Sequence, residues 1–142
     1  MRFEAQTISI RDQYNVAHPL LAMVGVQEDG TPTGLAYHPG IHSMEHDPVE
    51  YERWYSLTHQ ASGLRVGRDA VVTDEATARR WLELIAPLTD WTQSAEVIKQ
   101  HASRLQEQVE AARQQAYEEQ KREEVKTAAT PGGAFPGNAC LE

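Results

Sequence analysis

YERWYSLTHQASGLRVGRDAVVTDEATARRWLELIAPLT, residues 51–89, carries the pattern from which the fold is read. In Trp54-Tyr55-Ser56-Leu57-Thr58-His59, aromatic and β-branched content favours a strand, and alternation sets Tyr55 and Leu57 on one face. Residues 60–63, QASG, supply a turn in which Gly63 is free to take positive φ. Leu64 and Val66 alternate with Arg65 on a return strand. A break at 67–69 leads to a third short strand, Ala70-Val71-Val72. Thr73 is then placed as the N-cap of a helix whose first turn holds Asp74 and Glu75, where the helix dipole favours negative charge. Ala78, Leu82, Ile85 and Ala86, with Trp81 beside them, recur at helical spacing until Pro87. The simplest packing lays that apolar stripe over the apolar side of the sheet.

Upstream, residues 3–10 alternate as a strand, and 11–19 read as a polar connection ending in His18-Pro19. The most apolar run, residues 20–26, suits a buried strand, followed by a turn over 28–34 and a short strand at 35–37. Two prolines and a glycine in HPGIHSMEHDP predict a loop over 38–48. Downstream, residues 94–127 contain neither Gly nor Pro and predict one long helix of about 45 Å. Within it Ile98, Ala102, Leu105, Val109, Ala112 and Ala116 are spaced alternately by four and three, a heptad seam of coiled-coil type. Residues 128–142 are rich in Pro and Gly and read as a disordered tail. The expected architecture is α+β. A compact domain, residues 1–93, holds a small antiparallel sheet of about five strands packed by one helix; the long C-terminal helix and the tail follow.

Charge and cysteine content narrow the function classes. Residues 1–93 carry 13 acidic side chains against 7 basic ones, within a net charge of −8 for the 142-residue chain. Such a surface repels a phosphate backbone, which disfavours general nucleic-acid binding. No stretch approaches the roughly 18 apolar residues of a membrane span, and the first residues lack the apolar core of a secretory signal. Cys140 is the sole cysteine, so neither an internal disulfide nor a cysteine-based zinc cluster is available. A cytoplasmic protein without a membrane partner is expected.

Four groups of residues invite a functional reading, each beside a plainer one. His38, His42 and His46 recur every four positions beside Glu45 and Asp47, a donor set for zinc or nickel. Pro39 and Gly40 oppose the helix that would align them, and a polar loop that happens to hold histidines explains the same residues. His59 has Ser56, Ser62 and Asp69 nearby in sequence, yet no nucleophile elbow, phosphate-cradling glycine loop or dinucleotide fingerprint accompanies them. A hydrogen-bonded strand histidine is therefore expected, with no enzymatic activity and no cofactor. Arg53, Arg65, Arg68, Arg79 and Arg80 make the hairpin–helix unit locally basic and supply the nucleic-acid alternative, a small regulator of phage or plasmid type; the plainer reading pairs them with carboxylates. Trp54, Trp81 and Trp91 read as packing anchors.

The heptad seam carries the leading expectation. An apolar stripe is buried against its own domain or against another chain, and a twofold homodimer is the common solution in the second case. The chain is accordingly read as a non-enzymatic interaction or adaptor protein that self-associates or engages a protein partner through Ile98, Ala102, Leu105, Val109, Ala112 and Ala116. An acidic face formed by Glu28, Asp29, Glu45, Asp47, Glu50 and Glu52 offers a second contact to a basic partner. No named family is recognised in these residues.

Overall fold

Alternation in the first 26 residues becomes a long ladder. In the computed structural model, β1 (Arg2–Arg11) and β2 (Ala17–Val26) pair antiparallel along their whole length. The structure describes residues 1–42, 50–67, 71–101 and 103–128. The β1–β2 turn is organised by Asp12, whose carboxylate accepts the backbone N–H of Tyr14 at 2.8 Å and of Val16 at 3.0 Å, and lies 2.7 Å from His18 Nε2. β3 (Pro32–His42), β4 (Glu50–His59) and β5 (Arg65–Val66) complete a five-stranded antiparallel meander in chain order.

Several element boundaries depart from the sequence reading, each for a visible reason. β2 begins at Ala17 and includes Pro19, expected in the connection; Pro19 lies in the half of β2 that pairs only with β1, where a strand tolerates a missing N–H on its open side. The loop expected from His38 is instead strand as far as His42. Beyond Tyr37, β3 pairs with β4 alone, and the register shifts between Pro39 and Ile41, so the ladder absorbs Pro39 and Gly40 as an irregularity. Of the expected third strand, residues 70–72, Ala70 lies outside the described residues and Val72 forms an antiparallel bridge to Tyr55.

α1 (Glu75–Ile85) is capped by Asp74, not Thr73: the Asp74 carboxylate accepts Thr77 N–H at 2.7 Å. A 3-10 turn over Ala86–Leu88 contains Pro87, and the Trp91 indole N–H donates to Ile85 O at 2.8 Å, satisfying a carbonyl at the helix end. The single long helix expected over 94–127 is two helices, α2 (Ala95–His101) and α3 (Leu105–Ala128). Composition favours helix throughout, so tertiary packing decides the break. The turn brings Val109, Ala112 and Ala116 back into the core that holds α1, and the Trp81 indole N–H donates to Val109 O at 3.0 Å.

Three layers result. Leu35, Tyr37, Leu57 and Val66 on one sheet face meet Ala78, Trp81, Leu82 and Ile85 of α1, and α1 is covered in turn by Val109, Ala112 and Ala116 of α3. Gly34, at φ +85°, passes so close beneath the chain at Trp91 that an added Cβ would lie 2.5 Å from the Trp91 carbonyl. The opposite sheet face buries Ile10, Ala22, Val24, Val26, Ala36 and Ile41. Here the sheet curls: Arg11 N–H donates to Gly63 O at 2.9 Å and Arg11 Nε to Ser62 O at 2.9 Å, so β1 touches the turn that follows β4. Trp81 and Trp91 are core residues as expected, whereas Trp54 is 40% exposed. The tail expected from residue 128 lies outside the described residues apart from Ala128, which ends α3.

Candidate partner-binding groove

The β4–β5 hairpin ends short of the helical layer, and the gap between them is an open groove of about 830 Å³. Its apolar surface comes from Leu64 and Val66 of the hairpin, Trp91, Ile98 of α2, and Leu105 and Val109 of α3. Val66, Trp91, Ile98 and Val109 belong also to the core cluster, so the floor of the groove is continuous with the core. Leu64 stands on the rim, 38% exposed. Arg65, Lys99, Ser103 and Gln106 add polar lining.

His59 clamps one wall. Its Nε2 lies 2.8 Å from Gln93 O, a pure acceptor, so Nε2 carries the proton; Nδ1, 2.8 Å away, then accepts from the Ser62 hydroxyl. The ring is 5% exposed and tilts against Trp91 at 6.3 Å. Ser62 Oγ also accepts the Leu64 N–H at 3.1 Å. The Ser62 hydroxyl is engaged twice within its own turn, and His59 Nε2 ties the hairpin to Gln93; this is the geometry of a structural turn, and it fits the expected hydrogen-bonded strand histidine.

The six seam residues separate into two sets. Ala112 and Ala116 are buried in the core with α1, Leu105 lines the groove, and Ile98 and Val109 serve both. Ala102 lies outside the described residues. The described seam residues are therefore engaged within their own chain, and those that α1 does not cover form the groove wall.

The arginines do not converge. Arg79 lies over the Phe3 ring at 4.7 Å and near Tyr37 at 6.0 Å, on the helix-covered side of the sheet. Arg80 is paired with Glu119 at 2.8 Å and Glu83 at 3.5 Å, which raises its pKa and lowers that of Glu119. Arg65 pairs across the strand with Thr58, on the side of His38, and Arg53 is exposed on β4. Arg68 lies outside the described residues. A groove in a duplex meets one continuous surface, and these four residues are spread over two sides of a sheet and the outer flank of a helix.

The histidine set is similarly dispersed. His38 is 3% exposed inside the curled sheet, its ring 2.6 Å from the Thr58 hydroxyl and 2.7 Å from Pro39 O. Burial, then the nearby Arg65 charge, lowers its pKa despite the bond to Pro39 O. His42 ends β3 and His46 lies outside the described residues. Among the described residues no group of three His, Cys, Asp or Glu side chains is placed to hold a metal ion. Of the acidic face, Glu28 is exposed and Asp29 accepts Thr31 N–H at 2.9 Å in the β2–β3 turn, while Glu45 and Asp47 lie outside the described residues.

No protein-family model, curated protein or solved structure matches the chain. No helix among the described residues is long and apolar enough to cross a membrane. The groove was partly visible beforehand in Ile98, Leu105 and Val109; its other wall, Leu64 and Val66, was assigned only to a strand face. The missing signal was the break between α2 and α3, which no Gly or Pro announces.

Proposed function

We propose that the protein is a non-enzymatic interaction module of the cytoplasm that seats a protein partner in the groove between the β4–β5 hairpin and helices α2 and α3. One observation supports this above the others: an apolar groove of about 830 Å³ opens directly onto the core at the edge of the sheet. Its volume is within the range of sites that bury most of a bound group. The polar side chains around an apolar floor match the layout of an interface with a dry centre and a polar rim. Partner capture uses the part of the seam that α1 leaves available. Self-association through the whole seam would require Val109, Ala112 and Ala116 to leave α1, and the dispersed arginines give the nucleic-acid alternative little support.

The test is a blocking substitution. Leu105 is half-buried at the start of α3 and lines the groove, so Leu105→Arg obstructs the site while leaving the fully buried core intact. Co-purification from cells of the encoding organism should recover a partner with the unmodified chain and lose it with Leu105→Arg, at unchanged far-ultraviolet dichroism. Recovery of the same partner at the same yield by both chains would contradict the assignment of the site.

A further inference from the structure

The groove has an apolar floor, and its described lining includes an exposed cation, Lys99, and no carboxylate. Among the described residues that line it, two are charged: Lys99, and Arg65, whose strand position sets its side chain on the His38 side of the sheet. This contrasts with a chain in which 21 acidic residues face 13 basic ones. Lys99 is exposed in the last turn of α2 and extends from the same helix that supplies Ile98 to the floor. Ser103 and Gln106 add groups able to donate hydrogen bonds between the two helices. A basic segment would meet the Lys99 cation here and the excess negative charge of the chain elsewhere. An acidic segment would be repelled by most of the surface and received at this place. Charge arranged in this way selects among partners and orients them more than it adds affinity.

Resting on the interaction reading above, we propose that the groove selects an acidic partner segment, one that sets apolar side chains on Leu105, Val109 and Trp91 and a carboxylate against Lys99. The occupant is a stretch of another protein. Its apolar residues provide the attachment, and its carboxylate fixes which end lies over α2.

Panning a phage-displayed library of random dodecapeptides against the full chain, and against Lys99→Glu, tests this. The unmodified chain should enrich peptides that combine apolar residues with Asp or Glu. A synthetic copy of the most enriched peptide should shift the amide resonances of Leu64, Ile98 and Leu105. Its affinity should fall about fivefold or more on adding salt to about 1 M, where the screening length shrinks to about 3 Å. Lys99→Glu should turn the selection toward basic peptides, and Lys99→Gln should weaken the acidic peptide without inverting the preference. Enrichment of neutral or basic peptides that shift the same resonances overturns the acidic assignment and leaves the interaction reading standing. No enrichment, or shifts confined to other surfaces, overturns both. Concentration-dependent shifts at these amides without any peptide give the groove to a second copy of the chain and overturn the proposal.

Discussion

A neutral imidazole suits the place where His38 lies. Pro39 O can only accept, so Nδ1 carries the proton and Nε2 accepts from the Thr58 hydroxyl. Protonation would add charge to a ring 3% exposed and near the Arg65 charge, which is why its pKa is lowered. The folded state rejects a proton that the unfolded chain binds below about pH 6.5. Stability contributed by the neutral ring is therefore present above that pH and declines as the pH falls below it, by up to about 1.4 kcal/mol per pH unit for one proton. Urea unfolding at pH 7.5 and 5.5 should show a larger acid loss for the native chain than for His38→Gln; equal losses would remove His38 from the explanation. Tyr37 is held the other way: burial and then the Glu75 carboxylate, 2.5 Å from its hydroxyl, raise its pKa and keep it protonated. At Trp81, fully buried and donating to Val109 O, Trp81→Phe removes a hydrogen bond and part of a packed ring. About 2–4 kcal/mol of unfolding free energy should be lost. By contrast Arg80→Ala breaks surface pairs with Glu119 and Glu83 and should cost less than about 1 kcal/mol in the same assay. Residue identity alone made the core stripe of α1 legible. It placed the helix cap one position early, because Thr73 and Asp74 both suit an N-cap and only the chain path selects the carboxylate that reaches Thr77.

Elements were legible where periodicity and turn chemistry agreed. The strand at 54–59, its Gly63 turn and the amphipathic helix at 75–85 follow from alternation and from helical spacing. Reading failed where a strand carries its own breakers. Pro39-Gly40 ordinarily ends a strand, but β3 there has one neighbour and an irregular register, so the missing N–H is tolerated. It failed again at α2–α3, where uninterrupted helix-forming residues hide a turn imposed by α1. Gly34 shows how closely these elements are set. Gly34→Ala demands positive φ of an alanine and drives its Cβ to 2.5 Å from Trp91 backbone atoms. The substitution should cost more than about 2 kcal/mol, and thermal melting should fall by about 10 °C or fail to show a cooperative transition. A melting curve unchanged by Gly34→Ala would mean that the 89–94 segment is not anchored on β3.

At the scale of the molecule, the C-terminal helices complete the core and form a wall of the groove. Ile98, Val109, Ala112 and Ala116 are buried with α1 and the sheet in one cluster. Removing them would expose the outer face of α1, including Trp81, and leave the sheet with a helix covered on one side. The seam pattern was legible as a buried stripe; which surface buries it was not, because a sequence of heptads is satisfied equally by another copy or by α1. Light scattering behind gel filtration, with far-ultraviolet dichroism, on the full chain and on a version stopped at Gln93 tests this most directly. The structure predicts a monomeric full chain and a truncated version that has lost its cooperative fold. A dimeric full chain beside a folded, monomeric truncation would contradict it, because the seam would then pair between chains and the groove would not exist as described.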